Sequence, residues 1–152
     1  MSGWGGASVA FGGLTAPWQL VDPMPLEAVF TRAERLRSGA GRTLQHWAGR
    51  LAAKHAVLRL LGEPATPANL GAVEVLPRPT PLCHRTAACL HGHPPGVRLT
   101  GVLGGREAGG GEAGGARIRV SVSHTADLAF AVALSSARLP EDHDLEAVSA
   151  WT

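Results

Sequence analysis

Residues 43 to 62 read TLQHWAGRLAAKHAVLRLLG. Leu44, Trp47, Leu51, Leu58 and Leu61 recur at steps of three and four residues, with one gap of seven, and Gly62 stands where the pattern stops. This spacing predicts one long amphipathic helix with a glycine at its end. The other decisive stretch, RIRVSVSHTADLAFAVAL (117 to 134), alternates instead. Ile118, Val120 and Val122 point one way and Arg119, Ser121 and Ser123 the other, and Phe130, Val132 and Leu134 repeat the apolar set. Period two on both sides of a polar turn at His124 to Asp127 predicts an antiparallel hairpin with those apolar residues on its core face.

Between and around these two segments the signals are shorter. WGGASVAFGGL (4 to 14) sets a Val/Ala/Phe run between glycine pairs, a brief strand with turns at each end. PLEAVFTRAERLRSG predicts a helix at about 25 to 37, acidic early and basic late, as the helix dipole favours. Within it, Thr31 and Glu34 have capping-box spacing, which is helix-start chemistry. AVEVLP (72 to 77) and VRLTGVL (97 to 103) read as strands. The stretch from 104 to 116 holds seven glycines and reads as a surface loop; it has no phosphate-loop pattern. Residues 139 to 152 form an acidic tail. A chain of 152 residues accommodates a single domain, here read as α+β.

Composition narrows the function classes. The chain is 45% hydrophobic and 17% charged, enough for a core and too little charge for a disordered chain. A formal charge of +2 without a dense basic run argues against a nucleic-acid partner. Thirteen Arg stand against the single Lys54, a bias that fits GC-rich coding. The first residues carry neither a basic leader nor a sustained apolar run, so no signal peptide or membrane span is expected. The two cysteines, Cys83 and Cys89, cannot make a disulfide framework, and free thiols suit the cytoplasm. With His84, His91 and His93 they form a thiol and imidazole cluster, but its spacing matches no closed zinc site, so buried thiols and loop histidines are expected.

Three segments in order, VFTRAE (29 to 34), RLAAKHAVLRLLG (50 to 62) and VSVSHTADLAFAVAL (120 to 134), resemble the holo-acyl-carrier-protein synthase family of 4′-phosphopantetheinyl transferases. HGHPPGVRLTG (91 to 101), with Gly92 and Pro95, resembles that family's glycine-proline turn into a strand. The resemblance implies a small α+β fold with a three-stranded antiparallel sheet packed on a long helix, often a homotrimer with sites at the subunit interfaces. It also implies coenzyme A and magnesium as cofactors and an acyl carrier protein as partner. The family's metal is held by the Asp of a G-x-D motif on the first strand and the Glu of a K-E-A motif on the long helix. This sequence has Gly6, Ala7, Ser8 and Lys54, His55, Ala56 at those places. Imidazole favours zinc, copper or nickel, and a serine hydroxyl adds no charge, so magnesium should bind poorly. Asp22, with His55, is the alternative metal pair, and Glu34 or Glu27 are further carboxylates that could restore the site.

Three functions follow as expectations. In the first, the fold serves a metal-free acid-base step, such as dehydration, isomerisation or cyclisation, on a polyketide-type or carrier-linked intermediate in bacterial secondary metabolism. His55 and His124 would then move protons, Ser8, Ser121 and Ser123 would hydrogen-bond, and Lys54, Arg50 and Arg59 would hold an anionic group or an enolate oxygen. Arg59 and Lys54 near His55 should favour its neutral form. In the second, a carboxylate restores the magnesium site and the protein is a working transferase that uses coenzyme A. In the third, the protein is a non-catalytic module docking on an acidic carrier protein through Arg32, Arg35 and Arg50.

Overall fold

The computed structural model describes residues 3–39, 43–78, 95–106 and 117–136. Strand β1 (Trp4–Ala10) opens the chain; a single 3-10 turn (Pro17–Leu20) leads to helices α1 (Leu26–Val29) and α2 (Arg32–Gly39). The long helix α3 (Leu44–Leu61) follows, then α4 (Pro67–Ala72), β2 (Val73–Pro77), β3 (Pro95–Leu99), a 3-10 turn at Gly101–Leu103, and the hairpin β4 (Arg117–His124) and β5 (Leu128–Ser136). Strands β1, β5 and β4, in that order, make an antiparallel sheet, and β2 and β3 pair antiparallel beside it.

The expected helix at 25 to 37 is two helices. Phe30 is extended, with φ of −110° and ψ of 131°, and the chain restarts at Thr31. The restart is the capping box: Thr31 N donates to Glu34 Oε1 at 2.9 Å, and Glu34 N donates to Thr31 Oγ1 at 3.3 Å. The strand expected over 97 to 103 ends at Leu99, because Gly101 takes a φ of +51° and turns the chain. Helix α4 had no counterpart in the sequence reading. Helix α3 ends as expected: Gly62 has a φ of 71°, and Gly62 N and Glu63 N donate back to Arg59 O and Leu58 O.

Helix α3 covers the inner face of the three-stranded sheet, and small residues set how closely. A Cβ on Gly5 would lie 2.3 Å from Ala56 O and 2.5 Å from Leu60 N, and one on Gly49 would lie 3.1 Å from Val122 Cγ1. The N-terminal half of α3 therefore crosses β4 and its C-terminal half crosses β1. This close approach corrects the expected face of β5. The residues buried under α3 are Ala129, Ala131 and Ala133, whereas Phe130 and Leu134 are 45% and 49% exposed on the outer face. An alanine row fits against a helix backbone at this distance; a phenylalanine and leucine row does not. Phe30 closes the core from α1, its ring edge-on to Trp47 with centroids 5.1 Å apart.

Candidate functional site

Lys54 looks inward rather than toward a ligand. It is fully buried, and its ammonium donates to Glu34 Oε1 at 2.6 Å, Val73 O at 2.6 Å and Leu70 O at 3.0 Å. Three donors meet three acceptors, so none is left for an anion. Burial pulls its pKa below the usual lysine value, and the Glu34 carboxylate opposes that shift. Glu34 is equally committed. Its Oε1 also accepts from Thr31 N, and its Oε2 accepts from Val75 N at 3.0 Å. The expectation that Lys54 binds an anion is thus corrected: it clamps α3 to α2 and to the α4–β2 junction. Glu34 is withdrawn as a metal ligand for the same reason.

Arg50 is corrected likewise. Its Nε donates to Val75 O at 2.7 Å, its Nη1 donates to Ser38 Oγ and Glu34 O, and Nε lies 3.9 Å from Glu34 Oε2. Only 11% of the side chain is exposed. Both residues were read as ligand-facing because they flank His55 in sequence. On a helix, Arg50 and Lys54 share one face at i and i+4, and His55 lies about 100° round from Lys54.

That other face carries the exposed chemistry of α3. His55 is half-buried, and one turn on, Arg59 is exposed, with Nη1 donating to Gly6 O of β1 at 2.6 Å. Burial first, and the Arg59 cation second, lower the His55 pKa below the usual histidine value. The imidazole is therefore neutral at pH 7, as the sequence reading expected. Because β1 is an edge strand, His55 and Arg59 sit where α3 meets the sheet margin.

The remaining candidates lie elsewhere. In register, Ser8 pairs with Phe130 and Phe130 with Ser123, while Gly6, Val132 and Ser121 form the next row. Ser8, Ser121 and Ser123 thus share the outer sheet face, opposite α3, and all three are exposed. His124 receives a hydrogen bond from Gln45 Nε2 at 3.1 Å, at the start of α3. Ten residues of helix separate Gln45 from His55, about 15 Å. The two histidines expected to share proton transfer are therefore apart within one chain. Pro95 lies in the two-stranded sheet, opposite Pro77. Asp22 and Glu27 are exposed, and among the described residues no hydrogen bond or ion pair joins Asp22 or Ser8 to His55. Gly92, the cluster from Cys83 to His93, most of the glycine-rich stretch and the acidic tail lie outside the described residues.

Sequence reasoning missed two features. Gln45 as the partner of His124 carries no sequence signal. The outer face of β5 was legible as strand alternation but was assigned to the core, and the exposure of Trp4, 63% beside Leu134, was not foreseen. No helix among the described residues is long and apolar enough to cross a membrane.

This arrangement was compared with known proteins. No protein-family model matches the sequence, and no curated protein does. Solved structures do. The Mycobacterium tuberculosis acyl carrier protein synthase is 26% identical, with a TM-score of 0.58, over 90% of this chain and 97% of that one. The ACPS–CoA complex of Chronobacterium ammoniagenes is also 26% identical, with a TM-score of 0.61 and the same coverage. The chain has the holo-acyl-carrier-protein synthase fold. The holo-acyl-carrier-protein synthase of Neisseria meningitidis, at 19% identity and a TM-score of 0.61 over 88% of this chain, shares that synthase fold. The three-stranded sheet on a long helix, expected from the resemblance, is the architecture observed.

Proposed function

We propose that this protein binds a phosphopantetheine-bearing ligand, coenzyme A or an acyl carrier protein, and performs a metal-free proton transfer on the carried group. The donor set at the family's metal position supports this reading. Magnesium requires hard oxygen ligands, usually carboxylates. Here the helix position is an imidazole held neutral, and the strand position is a serine on the outer face. Among the described residues no group of three His, Cys, Asp or Glu converges as a metal site. The residues present do not fit magnesium.

The chemistry then belongs to His55 and Arg59. A neutral imidazole accepts a proton from an acidic carbon or hydroxyl of the bound intermediate and returns it, as imidazolium, to an oxygen or carbon of the same molecule. Dehydration, isomerisation and cyclisation of a polyketide-type intermediate all have this form. Arg59 spends one N–H on Gly6 O, and its exposed remainder offers donors to a phosphate or an enolate oxygen. Trp4, Phe130 and Leu134 make the outer face an apolar surface suited to assembly of copies, and a homotrimer would use it. Such an assembly would let His124 and Ser123 of one copy approach His55 of another.

A second reading, magnesium-dependent transfer of phosphopantetheine, is favoured by the similarity to the ACPS–CoA complex. One experiment separates them. Apo carrier protein is incubated with coenzyme A, magnesium and this protein, with and without chelator, while coenzyme A binding is followed by calorimetry. Binding that ignores chelator, without mass gain on the carrier, supports the first reading. A phosphopantetheine mass gain abolished by chelator establishes the second.

A further inference from the structure

Strand β1 is the margin of the three-stranded sheet under the C-terminal half of α3, and among the described residues no strand lies beside its outer edge. The pairing with β5 shows which groups face that edge. Gly3 O accepts from Ser135 N, and Phe11 N donates to Asp127 O, so the odd-numbered residues of this stretch spend their backbone groups on β5. The N–H and C=O groups of Trp4, Gly6, Ser8 and Ala10 therefore point away from the sheet. Among the described residues one contact reaches them, the bond from Arg59 Nη1 to Gly6 O at 2.6 Å.

A free edge is a template for another strand, and proteins blunt it with charged side chains, proline or a bulge. β1, with the sequence WGGASVA, has no charge and no proline, and it pairs residue for residue with β5 without a bulge. The other margin of the sheet is better defended: β4 includes Arg119, and β3 packs alongside it. Gly5, Gly6, Ala7 and Ser8 offer little bulk against an approaching backbone. What β1 lacks in its own sequence, α3 supplies. Arg59 reaches across from the helix and sets an exposed guanidinium on an outward carbonyl of the strand. A neighbouring strand would have to displace that donor and bury the cation beside it.

We infer that Arg59 guards the free edge of β1 and that, without it, β1 pairs with β1 of a second copy. Two copies of β1 bring no like charges together, since the strand has none, and an antiparallel pair satisfies the outward N–H and C=O groups of both. This role for Arg59 is independent of proton transfer at His55. It also differs from assembly through Trp4, Phe130 and Leu134, which uses the face of the sheet and leaves its edge open.

Hydrogen exchange followed by NMR on the full chain reads the edge directly. In the unaltered protein the amides of Gly6, Ser8 and Ala10 should exchange about tenfold or more faster than those of Gly5, Ala7 and Val9. Equal protection means that the edge is already covered, and overturns the inference. Arg59→Ala should self-associate about tenfold more tightly in sedimentation velocity, the equivalent of one charged hydrogen bond, with the three outward amides gaining protection. Arg59→Lys, which keeps a donor, should sediment as the unaltered protein does. Ser8→Pro removes an outward N–H without costing a bond to β5, so in the Arg59→Ala background it should restore the unaltered behaviour at an unchanged melting temperature. Arg59→Ala that sediments like the unaltered protein overturns the guard. Assembly that Ser8→Pro does not reverse, or that leaves the three amides unprotected, overturns β1 as the surface that pairs.

Discussion

Replacing Lys54 by methionine keeps the length of the side chain and deletes its charge at a fully buried position. The loss is large because the partners stay. Glu34 keeps hydrogen bonds from Thr31 N and Val75 N but loses the cation at 2.6 Å, and Leu70 O and Val73 O lose their donor. Removing one partner of a buried ion pair costs about 3–5 kcal/mol, and each orphaned carbonyl about 1–3 kcal/mol, contributions that overlap rather than add. We expect about 4 kcal/mol in urea unfolding followed by circular dichroism, as a lower midpoint at unchanged slope. Small domains hold roughly 5–15 kcal/mol, so the variant should fold but unfold readily. The double variant Lys54→Met, Glu34→Leu should cost less than the sum of the single changes, because the buried charge goes with its partner. A single-variant loss under about 1 kcal/mol would refute the clamp.

Three further outcomes follow from the same geometry. Gly5→Ala should destabilise by about 1–3 kcal/mol or more, since its methyl would enter the backbone of α3 at Ala56 and Leu60; unchanged denaturant stability would mean the strand and helix are not in close contact. The His55 pKa is lowered on folding, so the unfolded chain binds more protons between the folded value and about 6.5, and the contribution of neutral His55 is complete above that pH and lost as pH falls through the folded pKa. His55→Gln should flatten that part of the stability profile, and proton NMR of the His55 ring should show a midpoint below 6.5; a midpoint above it contradicts the assignment. Trp4→Ser with Phe130→Ser should reduce an assembled species to monomer in sedimentation velocity, and a monomeric unaltered protein would remove the outer face as an interface.

The long helix was legible because its apolar spacing and terminal glycine are local signals, and α3 runs from Leu44 to Leu61 within one residue of the expected limits. The strands were legible for the same reason, as period two survives in sequence. Which face of β5 lies inward was not, because that depends on how closely α3 approaches, and only Gly5 and the alanines 129, 131 and 133 reveal it once paired. Lys54 misled for a related reason. A lone lysine beside a motif looks available, and nothing in one dimension shows that Glu34, read as a cap and as a spare metal carboxylate, turns toward it across α2. That His55 and Arg59 are neighbours was legible because residues at i and i+4 on a helix are fixed by local geometry, whereas the positions of His124 and Ser8 depend on the tertiary placement of the sheet.

The most direct measurement is intact-mass analysis of an apo carrier protein after incubation with coenzyme A, magnesium and this protein, run against a known active synthase. The account predicts an unmodified carrier here and a loaded one in the parallel reaction, with coenzyme A binding to this protein unaffected by chelator. A phosphopantetheine added by this protein, and lost when magnesium is removed, would contradict it.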